Sequence, residues 1–74
     1  MKRIPHRFHS AGREYVVLRK GNRPIVVDTR HLEDALLRGA ESYPVVCNHD
    51  YECWAEMPEK HYELLEEQLN RLRY

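Results

Sequence analysis

Two cysteines and two histidines in the second half of the chain carry the clearest ligand chemistry. Cys47, His49, Cys53 and His61 supply two thiolates and two imidazoles, a donor set that can hold zinc tetrahedrally. Their spacing, C-x-H-x3-C-x7-H, is not that of a standard zinc motif. A metal would matter to so small a core, because its binding energy becomes folding energy. We expect no metal and no cofactor, with zinc on these four residues as the alternative.

The register of the strands around the cysteines decides which chemistry is open to them. A two-residue turn at His49-Asp50 would place Cys47 opposite Glu52, with the two thiols on opposite faces. A five-residue loop would place Cys47 opposite Cys53, where a metal site or a disulfide becomes possible. In a third interpretation, both cysteines are small buried hydrophobic side chains with free thiols. The sequence leaves all three open.

Basic side chains cluster around the turn of a predicted hairpin, at Arg19-Lys20-Gly21-Asn22-Arg23. A two-stranded ribbon fits the major groove of DNA, where Arg and Lys reach phosphates or guanine edges. Alternatively, the charges lie on a solvated turn and keep a sheet edge from aggregating. The candidate residues for binding nucleic acid or an acidic partner are Arg13, Arg19, Lys20, Arg23 and Arg30.

The two halves of the chain carry opposite charge, although the whole has 12 basic and 12 acidic side chains. Residues 1–30 hold eight basic and two acidic side chains, whereas residues 31–74 hold four basic and ten acidic ones. The first half therefore suits phosphate or an acidic protein, and the second half suits a basic protein. Alternatively, the halves pack together and neutralise one another.

The last part of the chain has the pattern of an amphipathic helix that begins at Pro58. Apolar residues recur there at steps of three and four, the spacing that places side chains on one helix face. This face either covers the domain's own sheet or docks with a partner, and Trp54 is either core or an interface anchor. The candidate residues for binding a protein partner are Trp54, Tyr62, Leu65, Leu69 and Leu72.

The sequence lacks the motifs that support catalysis. It contains no nucleophile motif, no Gly-rich phosphate loop and no paired carboxylates in a recognisable context. His6, His9 and His31 are scattered along the chain, as surface histidines usually are. We therefore predict that the protein is not an enzyme.

The hairpin Glu14–Asp28 organises the predicted fold. Gly21-Asn22 between two β-branched runs indicates a two-residue turn, since both residues accept the positive φ that primed turns need. Both faces of the ribbon are apolar near its middle, so the rest of the chain must cover it. The turn pairs three couples of apolar residues: Val16 with Val27, Val17 with Val26, and Leu18 with Ile25.

The remaining elements follow from local signals. Met1–Gly12 is predicted to be a basic, irregular N-terminal arm, with a short strand at Arg3–His6 as a possible exception. The other predicted elements are a first helix over 30–38, capped by Thr29 and ended by Gly39, and strands at Pro44–Cys47 and Cys53–Met57.

The order β-β-α-β-β-α repeats at an offset of 29 residues, which superimposes Val16-Val17 on Val45-Val46. We predict one α+β domain over residues 13–74, made of two ββα units at 13–39 and 43–74 after the arm at 1–12. Its four-stranded antiparallel sheet carries both helices on one face. The residues expected to be largely buried are Val16, Leu18, Ile25, Val27, Leu36, Val45, Trp54, Leu65 and Leu69.

Length and hydropathy bound the setting of the protein. A chain of 74 residues buries only about 60% of its unfolded surface, so we expect a homodimer. No apolar run is long enough to span a membrane, and the basic start lacks the apolar region of a secretory signal. We expect a cytoplasmic protein that has a protein partner and no membrane association.

The segment Glu41–Leu72 resembles the hairpin-and-helix part of Phd/YefM-type antitoxins. In that family a Val-rich strand, a polar turn and a second strand lead into a helix that opens with Pro-Glu and a tyrosine. The resemblance implies a dimer with a DNA-binding N-terminal part and a C-terminal segment that neutralises a basic toxin. The matching residues are Pro44-Val45-Val46, Ala55, Met57-Pro58-Glu59, Tyr62 and Leu65, with Ile25–Asp28 and Thr29–Gly39 in place of the family's first strand and helix.

Three functional hypotheses follow. The first is a small non-catalytic binding protein, a DNA-binding antitoxin or repressor with a basic N-terminal half and an acidic C-terminal helix. The second is a compact protein inhibitor from a phage or mobile element, which blocks a host nuclease or defence complex as anti-CRISPR proteins do. The third is the zinc-stabilised adaptor.

Overall fold

The computed structural model describes residues 1–72, so Arg73 and Tyr74, which end the second predicted unit, lie outside the described residues. No helix within residues 1–72 is long and apolar enough to cross a membrane. The described chain forms seven strands, a 3₁₀ turn and two helices. In chain order they are β1 (Lys2–Pro5), β2 (Arg7–Ser10), β3 (Arg13–Lys20), β4 (Arg23–Asp28), the 3₁₀ turn (Thr29–His31), α1 (Leu32–Leu37), β5 (Glu41–Ser42), β6 (Val45–Cys47), β7 (Cys53–Met57) and α2 (Glu59–Leu72).

The strands form two antiparallel sheets, which confirms the α+β class. One sheet has three strands in the order β1-β7-β6. The other has four: β3 pairs with β4 along one edge, and with β2 and then β5 along the other. The prediction of a single four-stranded sheet is therefore wrong. The two predicted ββα units contribute their hairpins to different sheets.

The β3–β4 hairpin has the predicted register. Val16, Val17 and Leu18 pair with Val27, Val26 and Ile25, and the two-residue turn Gly21-Asn22 closes the Lys20–Arg23 pair. Gly21 has φ 62°, whereas Asn22 has no positive φ, which is the pattern of a type II′ turn. Because paired residues alternate in such a ladder, the backbone of Pro24 faces away from β3, where its missing N–H removes no ladder bond.

The first twelve residues form two strands, so the prediction of an irregular arm is wrong, although β1 overlaps the short strand considered at Arg3–His6. Ile4 in β1 pairs with Ala55 in β7, and Phe8 in β2 pairs with Tyr15 in β3. Ala11-Gly12 makes the tight turn into β3, with φ of 52° and 75°. Alanine is rare at positive φ, so this turn carries no strong local signal.

Two bent segments carry the chain from one sheet to the other. The first bends at His6, whose carbonyl accepts a 3.1 Å hydrogen bond from the backbone N–H of Val17. The second runs from β5 to β6 through Tyr43-Pro44, and the Pro44 carbonyl accepts a 2.9 Å bond from the N–H of Glu56. On one side of the bends, β2 and β5 pair with β3 and meet near its middle. On the other side, β1 and β6 pair with β7 along its two edges. The two sheets thus enclose one apolar space.

The main core fills this space under α2. Leu65 and Met57 are fully buried, and Val17 and Tyr43 are nearly so. Alternate residues of a strand point to opposite faces, so the Val17–Val26 pair faces α2. The cluster comprises Ile4, Val17, Tyr43, Ala55, Met57 and Leu65, with Phe8, Val26, Tyr62 and Leu69 packed against it.

A second, smaller cluster lies on the opposite face of the four-stranded sheet under α1. Val16 and Leu18 are buried there with Ala40, while Leu32 and Ala35 of α1 pack against them. The helices therefore lie on opposite faces, and the prediction of both on one face is wrong. The side chain of Asp28, rather than Thr29, caps the turn before α1, because its Oδ1 accepts a 2.9 Å bond from the N–H of Arg30.

Burial agrees with the sequence prediction for Val16, Leu18 and Leu65. It disagrees for Leu36 and Val45, which are 46% and 43% exposed. Val45 lies on an edge strand of only three residues, and Leu36 lies at the outer side of the short α1. The remaining predicted core residues are half-buried: Ile25, Val27, Trp54 and Leu69.

Candidate functional site

The five candidate cations lie at the two ends of β3. Arg19, Lys20 and Arg23 surround the hairpin turn, whereas Arg13 starts β3 and Arg30 follows β4 at the far end. Eight strand residues span about 23 Å at 3.3 Å per step, so these are two separate groups. We call Arg19, Lys20 and Arg23 the hairpin-end cations.

Most of the candidate cations differ from the other basic residues of the first half in whether they form an ion pair. Four of the eight basic residues within 1–30 are paired with carboxylates, and Arg30 is the one candidate among them. The four pairs are Lys2–Glu59 at 3.9 Å, Arg3–Glu56 at 3.4 Å, Arg7–Glu14 at 3.2 Å and Arg30–Asp28 at 2.9 Å. Within residues 1–72, the hairpin-end cations and Arg13 have no such partner.

Two of these pairs join the oppositely charged halves of the chain. Lys2 and Arg3 belong to the basic half, and their partners Glu59 and Glu56 belong to the acidic half. The halves thus neutralise one another at β1, β7 and the start of α2. Within residues 1–72 no ion pair forms at the hairpin end, where Glu41 lies opposite Arg19 in the ladder but outside ion-pair distance.

Lys20 and Arg23 are exposed and stand opposite each other in the ladder, on the α1 side of the sheet. Like charges directly opposite one another repel, and an anion between them relieves that repulsion. Lysine offers a point charge and arginine a planar fork, and both are suited to phosphate oxygens.

Arg19 lies on the other face of the hairpin and is half-buried. Its guanidinium carbon is 6.0 Å from the centre of the Tyr43 ring, which holds the side chain by a cation–π contact. The Nε atom is buried and has no hydrogen-bond partner within residues 1–72. A buried unpaired donor is costly, so Arg19 is poised to gain from an anion that draws its side chain outward.

The hairpin end is not a free two-stranded ribbon. β5 pairs with Leu18 and Arg19, so three strands lie side by side until the last residues before the turn. Only Lys20-Gly21-Asn22-Arg23 projects beyond them. This shape suits contact with a phosphate backbone better than deep insertion into a groove.

The far end of β3 has mixed charge. Arg30 donates from Nη2 and Nε to Asp28 at 2.9 and 3.2 Å, and these hydrogen bonds lower the pKa of Asp28 to about 2. Arg13 lies close enough to contribute to the same shift. A polar cleft of about 350 Å³ is lined here by Ala11, Gly12, Arg13, Glu14, Asp28, Thr29 and Arg30. Its two carboxylates offset its two cations, so this end attracts anions less than the hairpin end.

The structure separates the four residues of the zinc alternative. Cys47 and Cys53 are directly opposite in the β6–β7 ladder and form a disulfide across a five-residue loop. His61 Nδ1 and the Tyr43 hydroxyl share a 2.7 Å hydrogen bond in the core. Burial raises the pKa of Tyr43, and the charge of Arg19 opposes that shift. Within residues 1–72, no group of three or more His, Cys, Asp or Glu side chains is placed to hold a metal ion.

The loop closed by the disulfide is internally ordered. Asn48 Oδ1 accepts hydrogen bonds from the backbone N–H groups of Asp50 and Glu52, at 2.9 and 3.0 Å. Tyr51 takes a left-handed conformation, with φ 60°, and its side chain is 90% exposed. His49 is exposed on this loop and belongs to no group of three or more ligating side chains within residues 1–72.

The predicted protein-binding residues do not share one surface. Leu65 is fully buried in the core, so its side chain is not accessible to a partner. Trp54 is half-buried in β7 between Pro5 and Val46. The other three line an apolar cleft of about 360 Å³ between α2 and the start of the chain, formed by Ile4, Pro5, Phe8, His9, Ser10, Tyr62, Leu69 and Leu72.

The acidic outer side of α2 was not among the predicted site residues. Glu63, Glu66 and Glu67 are exposed there and form no ion pair within residues 1–72, and Leu64 between them is 42% exposed. The negative charge of residues 31–74 was the available signal. Which of these acidic residues share one surface can be stated only when the buried side of α2 is known.

Comparison of the chain with protein-family models, curated proteins and solved structures finds no match. The antitoxin resemblance stays a prediction. The candidate site therefore has to be interpreted from its own geometry, and its distinguishing feature is the group of unpaired hairpin-end cations.

Proposed function

We propose that this chain is a non-catalytic binding protein whose hairpin-end cations contact the phosphate backbone of DNA, and that it acts as a repressor or antitoxin. One observation carries the proposal. Half of the basic residues in the first thirty form ion pairs with carboxylates, whereas Arg19, Lys20 and Arg23 form none within residues 1–72.

The disposition of these three side chains supports a phosphate ligand. Lys20 and Arg23 extend from one face of the hairpin, and Arg19 lies on the other face beside Tyr43. Charges spread in this way over a projecting turn suit an extended polyanion better than one small anion. Backbone phosphates contribute most of the affinity of non-specific DNA binding, so this arrangement requires no base-reading groups.

The antitoxin form of the proposal adds the acidic helix. A protein that represses its own promoter and neutralises a toxin needs a cationic DNA-binding surface and a separate surface for its protein target. The hairpin end supplies the first, and the outer side of α2 with Glu63, Glu66 and Glu67 is suited to a basic toxin. A cytoplasmic location and a dimeric state belong to the same proposal. A reducing cytoplasm would keep Cys47 and Cys53 as thiols, so the proposed function does not depend on the disulfide.

Gel-shift titration against a random-sequence duplex at low and at physiological salt tests this function. We expect a shift at low salt that weakens steeply as salt rises, because binding releases counterions. Changing Glu63, Glu66 and Glu67 together to Gln should leave DNA binding unchanged or improve it, since negative charge is removed. Folded protein that gives no shift at low salt would rule out DNA binding.

We propose the compact protein inhibitor as the second candidate, on the strength of the α2 surface. Leu64 lies among three glutamates that form no ion pair within residues 1–72, a combination of apolar contact and negative charge that suits a basic protein such as a nuclease. A protein with this function is expected not to bind duplex DNA at physiological salt. Copurification from the native host should then yield one protein whose recovery is lost with the Glu63/Glu66/Glu67→Gln variant and kept with Lys20→Ala/Arg23→Ala.

A further inference from the structure

The disulfide joins β6 and β7 at a pair of residues that the sheet already holds close together. The N–H of Asn48 bonds to the carbonyl of Glu52 at 3.0 Å, so the next pair of the ladder, Cys47 with Cys53, occupies a non-hydrogen-bonded position. Opposed Cα atoms at such positions are about 4.5 Å apart in antiparallel sheets. The two cysteine Cα atoms are 4.1 Å apart, whereas disulfides usually span about 4.4 to 6.8 Å. The backbone pairing therefore sets a short separation, at which a disulfide is more easily reduced.

A small thiol has access to this bond, and the reduced form gains a contact. Cys47 is exposed on β6, which within residues 1–72 pairs only with β7, whereas Cys53 is half-buried. Sγ of Cys53 lies 3.6 Å from the backbone carbonyl oxygen of Tyr51. A thiol donates a weak hydrogen bond to such an oxygen, but a disulfide sulfur has no proton to donate. Reduction thus gives Cys53 a hydrogen bond that the oxidised form lacks.

The loop keeps the two sulfur atoms within reach of each other after reduction. Asn48 Oδ1 holds the N–H groups of Asp50 and Glu52 in both forms, because neither hydrogen bond involves a cysteine. By contrast, β6 has only three residues and its Val45 is 43% exposed, so little apolar burial holds this strand against β7. Reduction therefore loosens β6 and leaves the loop folded, which allows the bond to form again.

We infer that Cys47 and Cys53 form a reversible redox switch that controls how firmly β6 is held against β7. The loop at this end carries Tyr51, whose side chain is 90% exposed, so the switch sets how rigidly this aromatic group is presented to solvent. In a reducing compartment the dithiol is the resting form, and the bond forms under oxidation. The inference is independent of DNA binding, because it uses none of the hairpin-end cations.

Glutathione, a small thiol, supplies the electrons for reduction. Its thiolate attacks the exposed Sγ of Cys47, which breaks the protein disulfide, forms a mixed disulfide and releases Cys53 as a thiolate that takes a proton from water. A second glutathione thiolate attacks the glutathione sulfur of the mixed disulfide and releases Cys47 in the same way. The products are two protein thiols and one glutathione disulfide, so two electrons pass to the protein. Oxidation runs the same steps in reverse.

Glutathione redox buffers test whether the bond is reversible. The full chain is equilibrated at several ratios of glutathione to glutathione disulfide, its thiols are alkylated, and mass spectrometry counts them. We expect mostly two free thiols at about a hundredfold excess of glutathione, and mostly none when glutathione disulfide predominates, from either starting form. A bond that stays closed in that excess of glutathione would overturn the switch. Cysteines that do not pair when glutathione disulfide predominates would also overturn it.

Backbone chemical shifts measured by NMR test what the bond controls. In the dithiol form, the shifts of Val45 and Val46 should move about halfway or more toward those of an unstructured chain, whereas that of Leu18 in β3 should stay in place. Cys47→Ser/Cys53→Ser is the control and should show the dithiol shifts with and without glutathione. The readout is local, so it is distinct from a loss of global stability. Equal shifts of Val45 and Val46 in the two forms would overturn the switch.

Discussion

Gln68 donates a 2.8 Å hydrogen bond from Nε2 to the backbone carbonyl of Pro24. This bond joins the last turns of α2 to the first residues of β4, 44 positions apart in the sequence. The carbonyl faces away from β3 and belongs to a buried residue, so it has no strand partner in the hairpin. The bond therefore fixes the hairpin end against the helix that covers the core.

Removing that bond should destabilise the fold measurably. Gln68→Ala is expected to lower the free energy of unfolding by about 1 kcal/mol, because one hydrogen bond is lost and a carbonyl is left unpaired. Urea unfolding measures the change. Asn70→Ala, at an exposed position of the same helix, is the control and should change the free energy by less than about 0.5 kcal/mol. Equal effects from the two changes would contradict this role for Gln68.

Two adjacent leucines on α2 test which side of the helix faces the core. Leu65 is fully buried and Leu64 is 42% exposed. Leu65→Ala should cost about 2–5 kcal/mol of unfolding free energy, as other buried leucines do. Leu64→Ala should cost much less, because little apolar surface is uncovered. If urea melts show both variants as stable as the unmodified protein, α2 does not cover the main core.

The disulfide should stabilise the β6–β7 hairpin by restricting the unfolded chain. Closing a loop of this length contributes about 2 kcal/mol in the chain-entropy model. The double variant Cys47→Ser/Cys53→Ser should therefore unfold at a lower urea concentration. Adding a dithiol reductant should lower the urea midpoint of the unmodified protein toward that of the variant. The same reductant should leave the variant unchanged. Two titratable thiols in the folded, non-reduced protein would show that the bond is absent.

Acid stability should depend on Asp28. Hydrogen bonds from Arg30 lower its pKa from the ordinary 3.8 to about 2, so the folded state favours the charged carboxylate. A lowered pKa gives stability that is complete above about pH 4 and is lost as the pH falls from there toward 2. Unfolding followed between pH 5 and pH 2 should show this loss. Asp28→Asn should flatten the profile, and Asp50→Asn in the exposed loop should not.

The sequence predicts local features well where one turn sets the geometry. The two-residue turn at Gly21-Asn22 determines which residues of β3 and β4 pair, so their register could be derived before the structure. The helical spacing of Tyr62, Leu65 and Leu69 likewise predicts α2. In both cases the deciding contacts are close in sequence.

The missed features depend on partners far along the chain. β1 is rich in charge and has only Ile4 as a buried residue, so its strand character comes from pairing with β7 more than fifty positions later. The apolar residues on both faces of the β3–β4 hairpin indicated that other elements must cover both faces. They did not indicate that each helix would take one.

The candidate site shows the same division. The cations could be chosen from the sequence, but their neutralisation could not, because Lys2–Glu59 and Arg3–Glu56 join distant elements. The disulfide was one of three outcomes that the sequence left open for the cysteines. The direct pairing of Cys47 with Cys53 leaves a metal site or a disulfide, and the bond between the two sulfur atoms decides for the disulfide.

The salt dependence of DNA binding tests the central claim most directly. Lys20→Ala/Arg23→Ala removes two unpaired cations from the hairpin end, and Lys2→Ala/Arg3→Ala removes the same charge at paired positions. In a plot of the logarithm of the association constant against the logarithm of the salt concentration, the negative slope should become shallower by about 0.9 for each phosphate contact removed.

We predict that the slope becomes shallower by about two units for Lys20→Ala/Arg23→Ala and by much less for Lys2→Ala/Arg3→Ala. Fluorescence anisotropy with a labelled duplex, at four or more salt concentrations, measures all three proteins under identical conditions. Equal slopes for the two double variants would contradict the claim that the hairpin end contacts the DNA backbone.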